Sequence, residues 1–271
     1  MIAVTEQFEE ISFKRNRFFN IGLAGQDQRL AVHRYLEKSQ LNSGSVLELN
    51  CGMGEDLAWF ARHGHTVDAT DISHKMVHFC RQRVLIEETP GIKVHVAGFH
   101  EVHELFPSKK FNCVFSNFAG LNCVDSVEIS MLGKRLTHML SDDGDVILVV
   151  KGRFCLMESF CLFISGRWDS IFRRLSKKPG PESVKVLSHP IWFYTPREIK
   201  RLFGSQYKVK KLQGIGVFIP PACMNERYEK RAWYRNFAKT AERLIGPLFW
   251  SAYISDHFLI HLSKKSVKPS V

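Results

Sequence analysis

The chain has 271 residues, 45% of them hydrophobic and 12% aromatic, which is enough to bury one large core. No internal repeat, low-complexity tract or Pro/Gly/Ser-rich linker divides it, and this excludes fibrous, disordered and array architectures. Its formal charge of +11 is uneven: residues 1–150 carry 15 Lys/Arg against 19 Asp/Glu, while residues 151–271 carry 23 against 8.

The first residues, from Met1 to Gln7, have neither a basic n-region nor a continuous apolar h-region, so no secretory signal is expected. Val46 to Leu49 read as a short buried strand that stops at a glycine-containing turn. Gly52 and Gly54 allow a sharp bend and a close backbone approach to a ligand, which a Cβ would obstruct. Leu57 to His63 carry a helical pattern, so the turn opens a helix whose first amides are unpaired. Seventeen residues after Gly54 comes Asp71, at the tip of a second strand that begins at Thr66. Strand, glycine turn, helix, strand and terminal acid form the nucleotide-binding half of a doubly wound fold, the acid accepting hydrogen bonds from ribose hydroxyls. The competing structural reading makes Asp71 the cap of the following helix.

A dinucleotide site requires Gly-x-Gly-x-x-Gly, but Leu57 stands where the third glycine belongs. Instead the turn reads Glu48-x-Asn50-x-Gly52-x-Gly54. It resembles the class I S-adenosylmethionine-dependent methyltransferases, whose signature is Asp/Glu-x-Gly-x-Gly-x-Gly followed by an acid ending the second strand. Asn50 departs from the pattern, and Asn tolerates positive φ better than most residues. Later segments fall where the resemblance requires them. Ile92 to Ala97 is the expected third strand, ending at Gly98-Phe99, and Phe111 to Asn117 is the fourth. A helix from about Ser126 to Leu140 leads into the apolar fifth strand, Val146 to Val150, and Ile215 to Ile219 and His257 to Leu262 supply the last two.

The resemblance implies an α/β, doubly wound, Rossmann-like seven-stranded sheet with an antiparallel last strand and helical additions after strands 5 and 6. Residues 1–271 then form a single domain: an N-terminal helical cap (1–44), a cofactor-binding core (45–151), a helical insertion (152–190), and the rest of the sheet (191–271) with a helical insertion over 220–255. It also implies S-adenosyl-L-methionine as cofactor. Asn50, Cys51, Gly52 and Gly54 would approach the methionine moiety, and Glu48 would orient its amino group. Asp71 would hold the ribose, Ile72 and Met76 would lie against the adenine, and Phe99 would stack beside it. Asn117 and Phe118 would flank the sulfonium.

The segment Phe154 to Gly166 is apolar and helical in pattern, but Glu158 interrupts it and it is too short to span a bilayer. Phe, Met, Trp and Arg there, and the aromatics of 220–255, would suit a small lipophilic or aromatic substrate carrying a negative group. Most of these residues must pack on the sheet. Transfer of a sulfonium methyl needs a general base only when the acceptor must lose a tightly held proton. Glu158, His189 and Tyr194 are weak candidates, each with an ordinary structural role available. Asn117 lacks the Asp/Asn-Pro-Pro-Tyr/Phe context typical of enzymes that methylate nucleobase amino groups, so nucleic acid is not the expected partner. Taken whole, the chain resembles most the small-molecule group that includes the quinone-biosynthesis methyltransferases.

The basic half leaves peripheral contact with an anionic membrane open. It also leaves open RNA or protein methylation through that half, and a non-catalytic binding protein of the same fold. Seven cysteines (51, 80, 113, 123, 155, 161 and 223) with no C-x-x-C spacing point to a reducing cytoplasm and no metal site.

Overall fold

The computed structural model describes residues 22–39, 41, 43–118, 120–176, 191–221 and 224–265. Seven strands form one sheet: β1 (Ser45–Leu49), β2 (Thr66–Asp71), β3 (Ile92–Val96), β4 (Phe111–Ser116), β5 (Leu140–Lys151), β6 (Tyr207–Ile215) and β7 (His257–Lys264). Their spatial order is β3-β2-β1-β4-β5-β7-β6, with β1 to β5 mutually parallel and β7 antiparallel to both β5 and β6. This is the doubly wound seven-stranded sheet that the sequence implies.

Helices cover both faces, so the central strands are apolar on both sides. Along β1, β4, β5 and β7 the side chains alternate between two cores. Leu47, Leu49, Val114, Leu148 and Phe258 face one side, and Val46, Phe115, Ile147 and Leu259 the other. The first core is closed by α5 (Ser126–Met139) and α7 (Pro196–Phe203) through Leu132, Leu136, Ile199 and Phe203. At Gly133 a β-carbon would lie 3.1 Å from Phe203 Cα, so the two helices approach that closely only because the residue is glycine. The second core is closed by α1 (Leu23–Lys38) and α2 (Leu57–Arg62) through Val32, Leu36, Leu57 and Phe60.

Starts and stops are written locally. Asp125 accepts the amides of Val127 and Glu128 at 2.9 Å each and opens α5, while Ser73 accepts the amide of Met76 and opens α3 (His74–Ile86). Thr195 and Glu198 form a reciprocal capping box at the start of α7, with Pro196 in its first turn. A one-turn helix α4 (Val102–Leu105) follows β3, and α6 (Leu156–Ile164) follows β5. Two further helices, α8 (Asn225–Lys230) and α9 (Ala232–Ile245), lie in the expected insertion between the last two strands.

The sixth strand departs from expectation: it occupies 207–215 and not 215–219. Its sequence, alternating with Lys208, Lys210 and Lys211, is that of an edge strand paired on one side only, and the charges conceal its apolar face. Gly216 (φ 76°) then turns the chain out of the sheet. The Glu242 carboxylate on α9 accepts the amides of Gly216, Val217 and Phe218 at 2.8 to 2.9 Å, replacing a strand partner.

Candidate active site

The turn after β1 takes three left-handed residues: Asn50 (φ 49°), Gly52 (φ 55°) and Gly54 (φ 77°). Asn50 does more than tolerate this geometry. Its Nδ2 donates to the Asn117 carbonyl at 2.7 Å, and its Oδ1 accepts the Ser116 hydroxyl at 2.6 Å. One side chain therefore ties the tip of β1 to the tip of β4, which a glycine could not do. Asp71 pins the turn from the other side, accepting the amides of Gly52 and Ser73 at 2.9 Å each. The Cys51 amide donates to the Thr70 carbonyl at 2.9 Å. A β-carbon on Gly54 would meet Cys80 Sγ at 2.7 Å, so α3 packs directly against the turn.

Glu48 lies beneath the turn and is 2% exposed. Burial, reinforced by the nearby Asp56 carboxylate, holds its carboxyl well above the usual range, while Arg29 pulls weakly the other way. Its Oε2 is buried without a hydrogen-bond partner. An orphaned acceptor is costly in isolation and is suited to a cationic donor arriving from outside. The α-ammonium of a methionine moiety is such a donor, so the residues present fit S-adenosylmethionine.

On the adenine side the expected residues separate. Ile72 is 54% exposed beside Asp71 and open to a ring, and Phe99 is half-buried against the core. Met76, on α3, is 2% exposed. The Gly98 amide donates to the Glu101 carboxylate at 2.7 Å, placing an acid at the tip of β3 that was not singled out from sequence. Its signal is its place, three residues beyond the strand-ending glycine.

The roof of the site comes from α1. Asp56, just after the glycine turn, accepts from Arg29, from His33 Nε2 at 2.6 Å and from Asn117 Nδ2 at 2.9 Å. Burial alone would push its carboxyl up, but Arg29 and His33 outweigh that and hold it well below the usual carboxylate range. The Arg29 guanidinium lies 5.1 Å from the Phe118 ring centroid. Phe118 is itself left-handed (φ 43°), and its ring meets His257 edge-on with centroids 5.2 Å apart. The structure thus brings Glu48, Asn50, Gly52, Gly54, Asp71, Asn117 and Phe118 to one edge of the sheet. It adds Arg29, His33 and Asp56, which sequence reasoning missed. A helix N-terminal to the motif carrying Arg29 and His33 four residues apart was the available signal.

Two of the weak base candidates have structural partners. Glu158 is buried and paired with Arg173 Nε at 2.7 Å and with Arg174, which also contacts Asp256 Oδ1 at 2.7 Å. Although burial favours protonation, the two arginines hold the Glu158 carboxyl below its usual range, so it is a poor proton acceptor. Tyr194 is buried and donates its hydroxyl to the Val124 carbonyl at 2.7 Å; burial raises its pKa, and it anchors the start of α7. His189 lies outside the described residues. Cys155, Glu158 and Asp256 approach metal-ligand spacing. The Arg174 guanidinium already supplies the positive charge there, and burial pushes the Cys155 thiol up to about 12. His257, buried at the start of β7, faces Asp256 Oδ2 at 3.3 Å and Gln28 Oε1 at 3.2 Å, and desolvation lowers its pKa.

Residues 46–144 match a family model described as a methyltransferase domain. Among solved structures, the chain is similar to magnesium protoporphyrin IX methyltransferase from Synechocystis PCC 6803 with bound S-adenosylhomocysteine (14% identity, 97% of this chain and 99% of that chain, TM-score 0.58). It is also similar to geranyl diphosphate C-methyltransferase from Streptomyces coelicolor A3(2) (12%, 87% and 80%, TM-score 0.54). A third similar structure is the glycopeptide N-methyltransferase MtfA (16%, 86% and 94%, TM-score 0.54). At these identities the likeness establishes the fold. Residues 46–144 thus carry a methyltransferase domain, and the strand order and the fit of the turn to S-adenosylmethionine agree with that match.

Proposed function

We propose that the protein transfers the methyl group to a small lipophilic or aromatic metabolite, one that can carry a negative group, and that it does so in the cytoplasm. The observation that carries the cofactor half of this reading is the orphaned Glu48 oxygen beneath the Asn50–Gly54 turn, with Asp71 at the adjacent strand tip. When bound, S-adenosylmethionine supplies an already electrophilic methyl, so the protein's contribution is positioning and exclusion of water. Glu48 receives the ammonium, Asp71 the ribose hydroxyls, and Asn117 and Phe118 border the sulfonium. The Asn50 and Asp56 hydrogen bonds keep Asn117 from moving.

The acceptor half rests on composition around the same edge: Phe160 and Phe163 on α6, and Trp168 and Phe172 just beyond it, are exposed apolar rings after the end of β5. The structural neighbours named above act on geranyl diphosphate and on magnesium protoporphyrin IX, both small molecules with apolar bodies and anionic groups. We read the whole chain as one domain, with residues 22–39 and 152–176 walling the acceptor side; residues 1–21 and 177–190 of the expected cap and insertion lie outside the described residues. Peripheral contact with an anionic membrane belongs to the same reading, since a lipophilic acceptor would be drawn from it. Six free cysteines among the described residues fit a reducing compartment. No helix among the described residues is long and apolar enough to cross a membrane.

Calorimetric titration with S-adenosylhomocysteine, with NADH as control, tests the first half. Micromolar binding lost in Asp71→Ala supports it, and a folded sample that binds neither S-adenosylhomocysteine nor S-adenosylmethionine overturns it. Turnover of lipophilic anionic acceptors in preference to RNA or protein tests the second.

A further inference from the structure

A cavity of about 380 Å³ lies away from the glycine turn. Its walls are one face of α1 (Ala31, Arg34, Tyr35, Lys38), the inner part of β6 (Lys211, Gln213, Gly214) and the end of α9 with the turn that follows (Glu242, Arg243, Gly246, Pro247). Four cations therefore converge on one space from three separate elements. Half-buried Arg34 and Lys211 and exposed Lys38 and Arg243 make no ion pair with any described residue. Arg34 and Arg243 are near enough that Arg243, after desolvation, lowers the Arg34 pKa. The acids near Arg34, namely Asp27, Glu37 and Glu242, offset this only in part. Asp27 is engaged by Lys239 at 2.9 Å, and the Glu242 oxygens are used by the amides of residues 216–218. Four cations around a cavity whose lining acid, Glu242, is engaged by backbone amides are suited to a polyvalent anion.

The helix that supplies Glu242 and Arg243 to this cavity also carries exposed apolar groups unusual for a soluble surface. Trp233, Phe237 and Leu244 on α9 are 69%, 57% and 70% exposed. At 3.6 residues per turn they fall within about 40° of one another on the helix. The residues on the opposite side, Ala238 and Glu242, are the buried ones. Leu244 adjoins the cavity residue Arg243, and exposed Leu248 and Phe249 follow the cavity residue Pro247. Across the opening, exposed Leu30 precedes Ala31 and lies one turn before Arg34 on α1. An apolar stripe with aromatic rings, bordered by unpaired Lys and Arg, is the composition of an element that lies in the interface of a negatively charged bilayer.

We propose that the cavity between α1, β6 and α9 binds the phosphate of an anionic phospholipid headgroup, and that Trp233, Phe237, Leu244 and Phe249 enter the bilayer surface beside it. This deepens the membrane contact of the preceding reading and is independent of which acceptor is methylated. The cations supply the charge attraction, and the α9 stripe supplies the apolar area that separates a membrane surface from a free anion.

Flotation of the full-length protein with phosphatidylglycerol-containing vesicles and with pure phosphatidylcholine vesicles, at low and moderate salt, tests the assignment. Partition to the anionic vesicles alone is expected. Arg34→Gln with Arg243→Gln should weaken it roughly tenfold or more, and Trp233→Ser with Phe237→Ser should abolish it. S-adenosylhomocysteine affinity, unchanged in both variants, shows that the fold and the cofactor site are intact and keeps this test separate from that of the methyltransferase site. Equal binding to neutral vesicles, or anionic binding unmoved by the arginine substitutions, overturns the proposal. So does titration with inorganic phosphate that saturates the cavity in a protein that ignores vesicles, since a free anion is then the ligand.

Discussion

The amide of Asn50 fills the space that a β-carbon on Gly120 would need, its Cγ only 2.2 Å from that position. The residue that departs from the glycine pattern of the turn is thus matched by a glycine on the far side of the β4 tip. Gly120→Ala is expected to force Asn50 off its two hydrogen bonds, destabilising the protein by about 1–3 kcal/mol and weakening S-adenosylhomocysteine binding about tenfold. Adding Asn50→Gly should restore space and recover part of both. Calorimetry and urea denaturation of the single and double variants check the coupling.

Glu48 has the sign of a group that folding makes harder to ionise. The native state holds its proton to a higher pH than the unfolded chain does. Its contribution is therefore fully present below the unfolded glutamate pKa of about 4.3, and is lost as pH rises through the higher native value. Glu48→Gln should be more stable than the parent at neutral pH and similar in acid. Cofactor binding should move oppositely, because an ammonium ligand recruits the ionised carboxylate. Affinity of the parent should rise with pH across the acid-to-neutral range, and the variant should be weaker and flat. Denaturation and binding measured between pH 5 and 8 distinguish the two effects.

Asp56 has the reverse sign. Arg29 and His33 depress its pKa, so the stability it contributes is present above the unfolded aspartate value of about 3.9 and disappears as pH falls through the lower native value. Asp56→Asn leaves the half-buried Arg29 and His33 facing a neutral partner and should cost about 3 kcal/mol at pH 7. The gap from the parent should close in strong acid. Urea midpoints from pH 7 down to pH 3 show whether it does.

Arg174 is buried between Glu158 and Asp256 and also donates to the Gly152 and Asp256 carbonyls at 3.3 and 3.2 Å. Arg174→Met strands two buried carboxylates and should destabilise by about 3–5 kcal/mol. Glu158→Gln keeps the shape and should leave turnover within a few-fold of the parent, as befits a structural acid. A drop of a hundredfold or more with an altered pH profile would reinstate Glu158 as a base.

The sheet and the cofactor edge were legible because their signals are local. Glycines, an acid and apolar runs between Val46 and Asp71 define a turn whatever surrounds them, and the order of β1 to β5 follows from short crossovers. The edge strand β6 was misplaced because its lysines face water and its true end is set by Glu242, which comes 27 residues after Ile215 in the sequence. The partners of Glu158 were not readable, because Arg174 and Asp256 meet beside it only in three dimensions, Asp256 from 98 residues further along. Arg29 and His33 were unreadable for the same reason: their partner Asp56 is brought under α1 only when the second core closes.

The placement of β7 has a consequence for how the chain is made. It follows β6 in sequence, yet it lies between β5 and β6 and, among the described residues, is the strand that β6 pairs with. As the polypeptide emerges from the ribosome, β5 waits with an open edge and β6 has nothing to pair with until residues 257–264 appear. Slotting that segment into the gap joins the two pieces, and it simultaneously brings His257 against Phe118. Assembly of the catalytic edge is thus a late event of biosynthesis, and nascent chains lacking this strand would display an unfilled slot to the chaperones that meet them.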